Sequence, residues 1–321
     1  MPRLKTIFAV GLAALFAPAL FALDLQSAPA PDSAVPGTLN YIEGAATING
    51  QMLSPKAVGS ATVEPGQVIA TSEGRAEVLL TPGVYLRLAN DSAAQMISPS
   101  LTNTVVNINR GRAAVEVDQL FKQNDIHIVE DRVPVQLIKP GLYEFNADRG
   151  AVMVFKGEAA VPKGSGRWVT VKEGHVLNVA EGLSAGVKPA KFDVSEQEQS
   201  GLYEWSSLRS DYLAEANQQI AGEYGAGYAP GWYWDPWMWD YTFLGPYPFY
   251  SPFGWGFYPF GYAGGFYGGF YGHGFYGRGY PVHGGLRAGL AGGFHDGGGF
   301  GGGFHGGGGF HGGGGGFHGG R

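Results

Sequence analysis

The chain has 321 residues, 44% of them apolar, which is enough for one or two domains with a real core and no need of covalent staples. Cysteine is absent, so disulfides and thiolate metal sites are excluded, and an exported chain of this kind can fold without an oxidase. A formal charge of −6 is too mild to point to a charged partner and runs against sequence-independent nucleic-acid binding.

Residues 1–22, MPRLKTIFAVGLAALFAPALFA, begin with the basic Arg3 and Lys5 and continue with an apolar stretch from Ile7 to Ala22. This is the pattern of a signal peptide. The stretch is shorter than the ~20 residues a spanning helix needs, which favours cleavage after Ala22 over an uncleaved anchor. The expected destination is outside the cytoplasm: periplasm, cell surface or medium. Residues 23–37, rich in Pro, Ala and Ser, read as a linker.

From 38 to 191 the texture becomes short apolar-polar alternations bounded by turn residues, the signature of an all-β domain of about a dozen strands. In GRAEVLLT, Ala76, Val78 and Leu80 fall on one face and Glu77 on the other. In GVYLRLAND, Val84, Leu86 and Leu88 oppose Tyr85 and Arg87, because successive strand side chains alternate faces. Two short patterns recur: YIEGAA at 41–46 resembles FKGEAA at 155–160, and VEPGQVI at 63–69 resembles VKEGHVL at 171–177. That pairing suggests two related β layers, a compact β-sandwich or short solenoid, and not a long repeat array.

Five stretches in order carry a family resemblance: VEPGQVIATSEGRAEVLLTPGVYLRLANDSAAQMI, VNINRGRAAVEV, VPVQLIKPGLYEFNA, GAVMVFKGEAAV and VTVKEGHVL. Over roughly residues 38–180 the chain resembles a FecR-type domain. Where that family often shows Gly-Thr, Gly141 is followed by Leu142. FecR-type regulators join a cytoplasmic sigma-factor-binding segment and a membrane span to a periplasmic domain. Here the resemblance begins just after the export signal, so it implies the envelope β module and its binding role, not the sigma relay.

Residues 193–222 read as an amphipathic helix, with Ser195 and Glu198 at capping-box spacing and Leu202, Trp205, Leu208, Tyr212, Ala216 and Ile220 at helical intervals. Its stripe either packs on its own β domain or docks another protein. Beyond it, residues 222–321 hold 38 glycines and seven charged residues, too little patterned aliphatic content for a second core. Residues 223–262 concentrate Trp, Tyr and Pro. Such rings can fold back as a cap, stack on sugars, sit at a membrane interface, or self-associate.

Residues 263–321 are a Gly/Phe/Tyr/His-rich stretch whose composition predicts a disordered tail able to self-associate through its aromatics. His295, His305, His311 and His318 are candidate zinc, copper or nickel ligands, although their spacings are irregular and no carboxylate cluster supports them.

Neither His127 nor His175 lies in a nucleophile motif, and GSGRW at 164–168 is too short for a phosphate loop, so neither an enzyme nor a cofactor is expected. Glu116 and Asp118 share a strand face that reads as solvated, and the pair Glu130 and Asp131 reads as a surface turn. The resulting expectation is a non-enzymatic exported binding module whose partner is an envelope protein or glycan. The alternatives are a matrix component assembling through its tail, or a metal-binding His tail.

Overall fold

The computed structural model describes residues 33–163, 166–179, 188–224 and 227–259. The stretch read as an export signal, most of the stretch read as a linker and all four candidate metal-ligand histidines of the tail lie outside the described residues.

The β domain opens with β1 (Leu39–Ile48), β2 (Gln51–Met52), β3 (Val68–Leu79), β4 (Val84–Leu88) and β5 (Ala93–Ser100). It continues with β6 (Asn103–Arg110), β7 (Arg112–Val117), β8 (Ile126–Glu130), β9 (Val133–Leu137) and β10 (Gly141–Asn146). The last strands of the domain are β11 (Ala151–Lys156), β12 (Glu158–Lys163), β13 (Arg167–Lys172), β14 (His175–Asn178) and β15 (Ala190–Lys191). Two helices follow, α1 (Val194–Gln197) and α2 (Gly201–Tyr224). Two small hairpins complete the described chain: β16 (Gly231–Asp235) with β17 (Asp240–Leu244), and β18 (Phe249–Tyr250) with β19 (Gly256–Phe257).

The fold is mainly β, as the alternation requires. One hydrogen-bonded sheet of 15 strands runs β13-β12-β9-β8-β6-β5-β3-β4-β7-β10-β11-β14-β15, with β1 and β2 attached through β3. Its pairs are antiparallel except β6 with β8. Because β13 at one end touches β11 and β14 near the other, the sheet rolls over on itself, and the two expected layers are two parts of one sheet. The enclosed face is apolar. Val78, Leu86, Val115 and Tyr143 form one cross-strand row, and Ala76, Leu88, Ala113 and Phe145 form the next.

The recurring glycines have a steric cause. Gly44 in β1 has φ 69° at a register shift, and Gly157, with φ 92°, is the corner where the chain leaves β11 and enters β12. A Cβ at Gly157 would lie 2.4 Å from the Tyr143 hydroxyl, and one at Gly44 would lie 2.2 Å from the Glu73 carbonyl oxygen. Only glycine fits either place.

The expected single helix is broken. Asp193, not Ser195, caps α1, accepting from the Glu196 amide at 3.2 Å, and Ser200 then caps α2 by accepting from the Tyr203 amide at 3.3 Å. Helix α2 packs on its own β domain, but its buried stripe differs from the apolar one read in the sequence. Leu202, Trp205, Ala216 and Ile220 are buried, whereas Leu208 and Tyr212 are exposed, and Ser206, Arg209, Ser210 and Asn217 are buried in their place. The polar members of that stripe match what the outer face of the sheet presents. Among the described residues no helix is long and apolar enough to cross a membrane.

Candidate functional site

The outer face of the sheet carries two cross-strand rows: Tyr41, Glu77, Arg87, Ala114 and Glu144, and beside it Leu79, Tyr85, Glu116 and Leu142. Charges on this face would be costly to bury alone. They are instead joined. Arg87 donates from Nε to Glu77 Oε2 at 2.7 Å and from Nη1 to Glu116, while Ser210 Oγ donates to Glu116 Oε1 at 2.7 Å. From α2, Arg209 Nη2 donates to Glu77 Oε1 at 3.0 Å and to Asp240 Oδ2 of β17 at 2.8 Å, with its guanidinium 4.1 Å from the Tyr41 ring centre.

Burial alone would push the Glu77 carboxyl up, but the Arg209 and Arg87 guanidiniums outweigh it and hold it at about 2. Asn40 completes the tie: its Nδ2 donates to Glu77 and to the Tyr241 carbonyl, and its Oδ1 accepts from the Tyr241 amide at 2.7 Å. Sheet, helix and hairpin are thereby fastened at one point.

Glu116 and Asp118 correct the sequence reading. They do share a face, but they are buried, at 0% and 5% exposure, because α2 and the β16–β17 hairpin cover that face. Burial first, and the neighbouring Glu116 charge second, push Asp118 well above the usual carboxylate range. Sealed from solvent, the pair has no access to a substrate.

Glu130 is also buried, at the end of β8, whereas its neighbour Asp131 is exposed in a turn with φ 48°. Burial, then the charges of Asp131 and Asp148, raise Glu130 to about 8. His127 pairs with Asp125 at 2.8 Å, and His175 Nδ1 lies 2.8 Å from the Glu173 carbonyl oxygen. No group of three or more His, Cys, Asp or Glu side chains is placed to hold a metal among the described residues.

The two hairpins divide their aromatics between two environments. Trp232, Phe243, Phe249 and Phe257 pack against Tyr85, Leu79 and Leu213, so part of the Trp-rich segment folds back as a cap. The turn between β16 and β17 points the other way: Trp237 is 79% and Trp239 52% exposed. Its backbone is fixed by the buried Asp235, whose Oδ1 accepts from the Trp237 amide at 2.8 Å and the Met238 amide at 3.3 Å. The Trp239 amide donates to the Asp235 carbonyl at 2.9 Å, and the Trp239 ring meets Trp234 edge-on at 6.0 Å. Tyr247 and Tyr250, 73% and 63% exposed, precede and begin the second hairpin. The sequence marks this region by composition, and Asp235-Pro236 signals a turn, but neither tells which rings fold inward.

No family model matches the chain, and no curated protein matches it. The chain is similar to two crystal structures of a candidate anti-sigma factor from Parabacteroides distasonis, each at 12% identity and a TM-score of 0.32 over 44% of this chain. The matches span 63% and 64% of those chains, less than two thirds of their length.

Proposed function

We propose that this chain is a non-enzymatic, exported, FecR-like binding module of the cell envelope that recognises a neutral glycan through the Trp237 and Trp239 turn. The observation that carries this reading is the exposure of two indoles on a turn whose backbone is fixed from below. Rigid, exposed, flat apolar rings are suited to the faces of sugar rings, and a pre-ordered turn lowers the entropy lost on binding. The FecR-type motif order and the basic-apolar start of the chain support the envelope setting.

Composition separates a glycan from an anionic membrane. Residues 223–262 contain no Lys or Arg, so this surface lacks the basic side chains that draw proteins to acidic lipid headgroups. Of the two buried carboxylates beneath it, Asp240 is paired with Arg209 and Asp235 caps the turn backbone, and the turn residues 236–239 carry no charged side chain.

The test is titration of the full chain with soluble oligosaccharides released from cell-wall glycan, following intrinsic tryptophan emission, alongside the Trp237→Ala, Trp239→Ala double variant. Saturable quenching lost in the variant supports the reading. Unchanged binding in the variant, or no binding by the parent chain, rejects it.

A further inference from the structure

The sheet ends carry a second surface built from other elements. Thr170 and Lys172 of β13, His175 of β14, and Lys188 and Pro189 just before β15 line a shallow cleft of ≈ 280 Å³. Three of these five side chains offer hydrogen-bond donors, the Thr170 hydroxyl and the Lys172 and Lys188 ammonium groups, and no carboxylate lines the cleft. Lys191 stands opposite His175 in the β14–β15 register, adding a third ammonium beside it.

This concentration of positive charge runs against a chain whose net charge is −6. It is also unspent. Lys172, Lys188 and Lys191 form no ion pair among the described residues. The nearest cross-strand carboxylate, Glu158 opposite Lys172, accepts instead from Lys139 Nζ at 2.8 Å. The strand alternation puts Thr170 and Lys172 on one face, so hydroxyl and ammonium project together. Backbone bonding orients the imidazole, with His175 Nδ1 directed at the Glu173 carbonyl.

We propose that this cleft binds a phosphate-bearing ligand. A phosphate presents several acceptor oxygens and up to two negative charges, which two lysines and a hydroxyl can meet at once. The cleft volume accommodates a phosphate group with a small attached moiety such as a sugar. Free phosphorylated metabolites and lipid headgroups share this chemistry.

The experiment uses the full chain labelled for NMR, at constant ionic strength, with inorganic pyrophosphate as one probe. The other probes are phosphatidylglycerol vesicles and phosphatidylcholine vesicles. The comparison variant is Lys172→Gln, Lys188→Gln, at two exposed positions, with an unchanged thermal midpoint as the check on folding.

Saturable pyrophosphate shifts at Thr170 and His175, weakened at least tenfold in the variant, support the proposal with a soluble ligand as source. Binding to phosphatidylglycerol but not phosphatidylcholine, with the same loss in the variant, supports it with a headgroup as source. Shifts matched by chloride, shifts unaffected by the variant, or no response to either probe overturn it. None of these outcomes bears on the tryptophan turn, so the two readings fail separately.

Discussion

Glu77, on the outer face of β3, accepts a 3.0 Å hydrogen bond from Arg209 of α2, a residue 132 positions away. The same Arg209 nitrogen reaches Asp240 of the hairpin, so one guanidinium holds three elements together. Arg209→Ala removes the cation and leaves two buried carboxylates facing each other. The expected loss is about 3–5 kcal/mol by urea unfolding. Arg209→Met combined with Asp240→Asn, which leaves Glu77 its Arg87 partner, should recover at least half of that loss. If the single variant costs no more than an exposed substitution, the cluster does not fasten the helix.

Two buried glutamates should respond to pH in opposite senses. Glu77 is held at about 2 against an ordinary 4.5, so its stabilising contribution is present above pH 4.5 and disappears as pH falls toward 2. Glu130 is raised from 4.5 to about 8, so the folded state holds its proton more tightly and stability declines as pH rises from 4.5 through 8. Glu130→Gln keeps the shape and removes the titration. Its unfolding free energy should exceed that of the parent by a few kcal/mol at pH 9, on the order expected for a shift of this size, and should converge with it near pH 4. A constant difference across that range would contradict the assignment.

The corner glycine can be tested against an open one. Gly157→Ala meets both a positive φ and the Tyr143 hydroxyl, whereas Gly174→Ala, with φ 71°, meets nothing within 4 Å. The Gly174 variant should cost about 1 kcal/mol for the backbone alone. The Gly157 variant should cost roughly 1–3 kcal/mol more, from overpacking. Equal thermal midpoints would show that the corner relaxes freely.

What was legible follows from how far each signal reaches along the chain. Ala76, Val78 and Leu80 against Glu77 is a period-two pattern within eight residues, and the enclosed core obeys it. The fate of the opposite face was not legible, because what covers Glu116 is Ser210, 94 positions on, and what neutralises Glu77 includes Arg209. An alternating strand looks half-solvated whether its polar face meets water or a complementary helix. The helix hid the same fact: Leu202, Trp205, Ala216 and Ile220 of the apolar stripe are buried, but Leu208 and Tyr212 are exposed while Arg209 and Ser210 are polar and buried, so the apolar stripe shows only part of the buried face. At the candidate site, composition located the aromatic segment, but only tertiary packing sorted Trp232 inward and Trp237 outward.

The most direct measurement is co-sedimentation of the full chain with purified insoluble cell-wall glycan, comparing the parent with Trp237→Ala, Trp239→Ala at matched stability. Expected is saturable binding by the parent, insensitive to salt because the surface is uncharged, and at least a tenfold loss in the variant. Equal binding by both chains, or binding that disappears with moderate salt, would contradict recognition through the tryptophan turn.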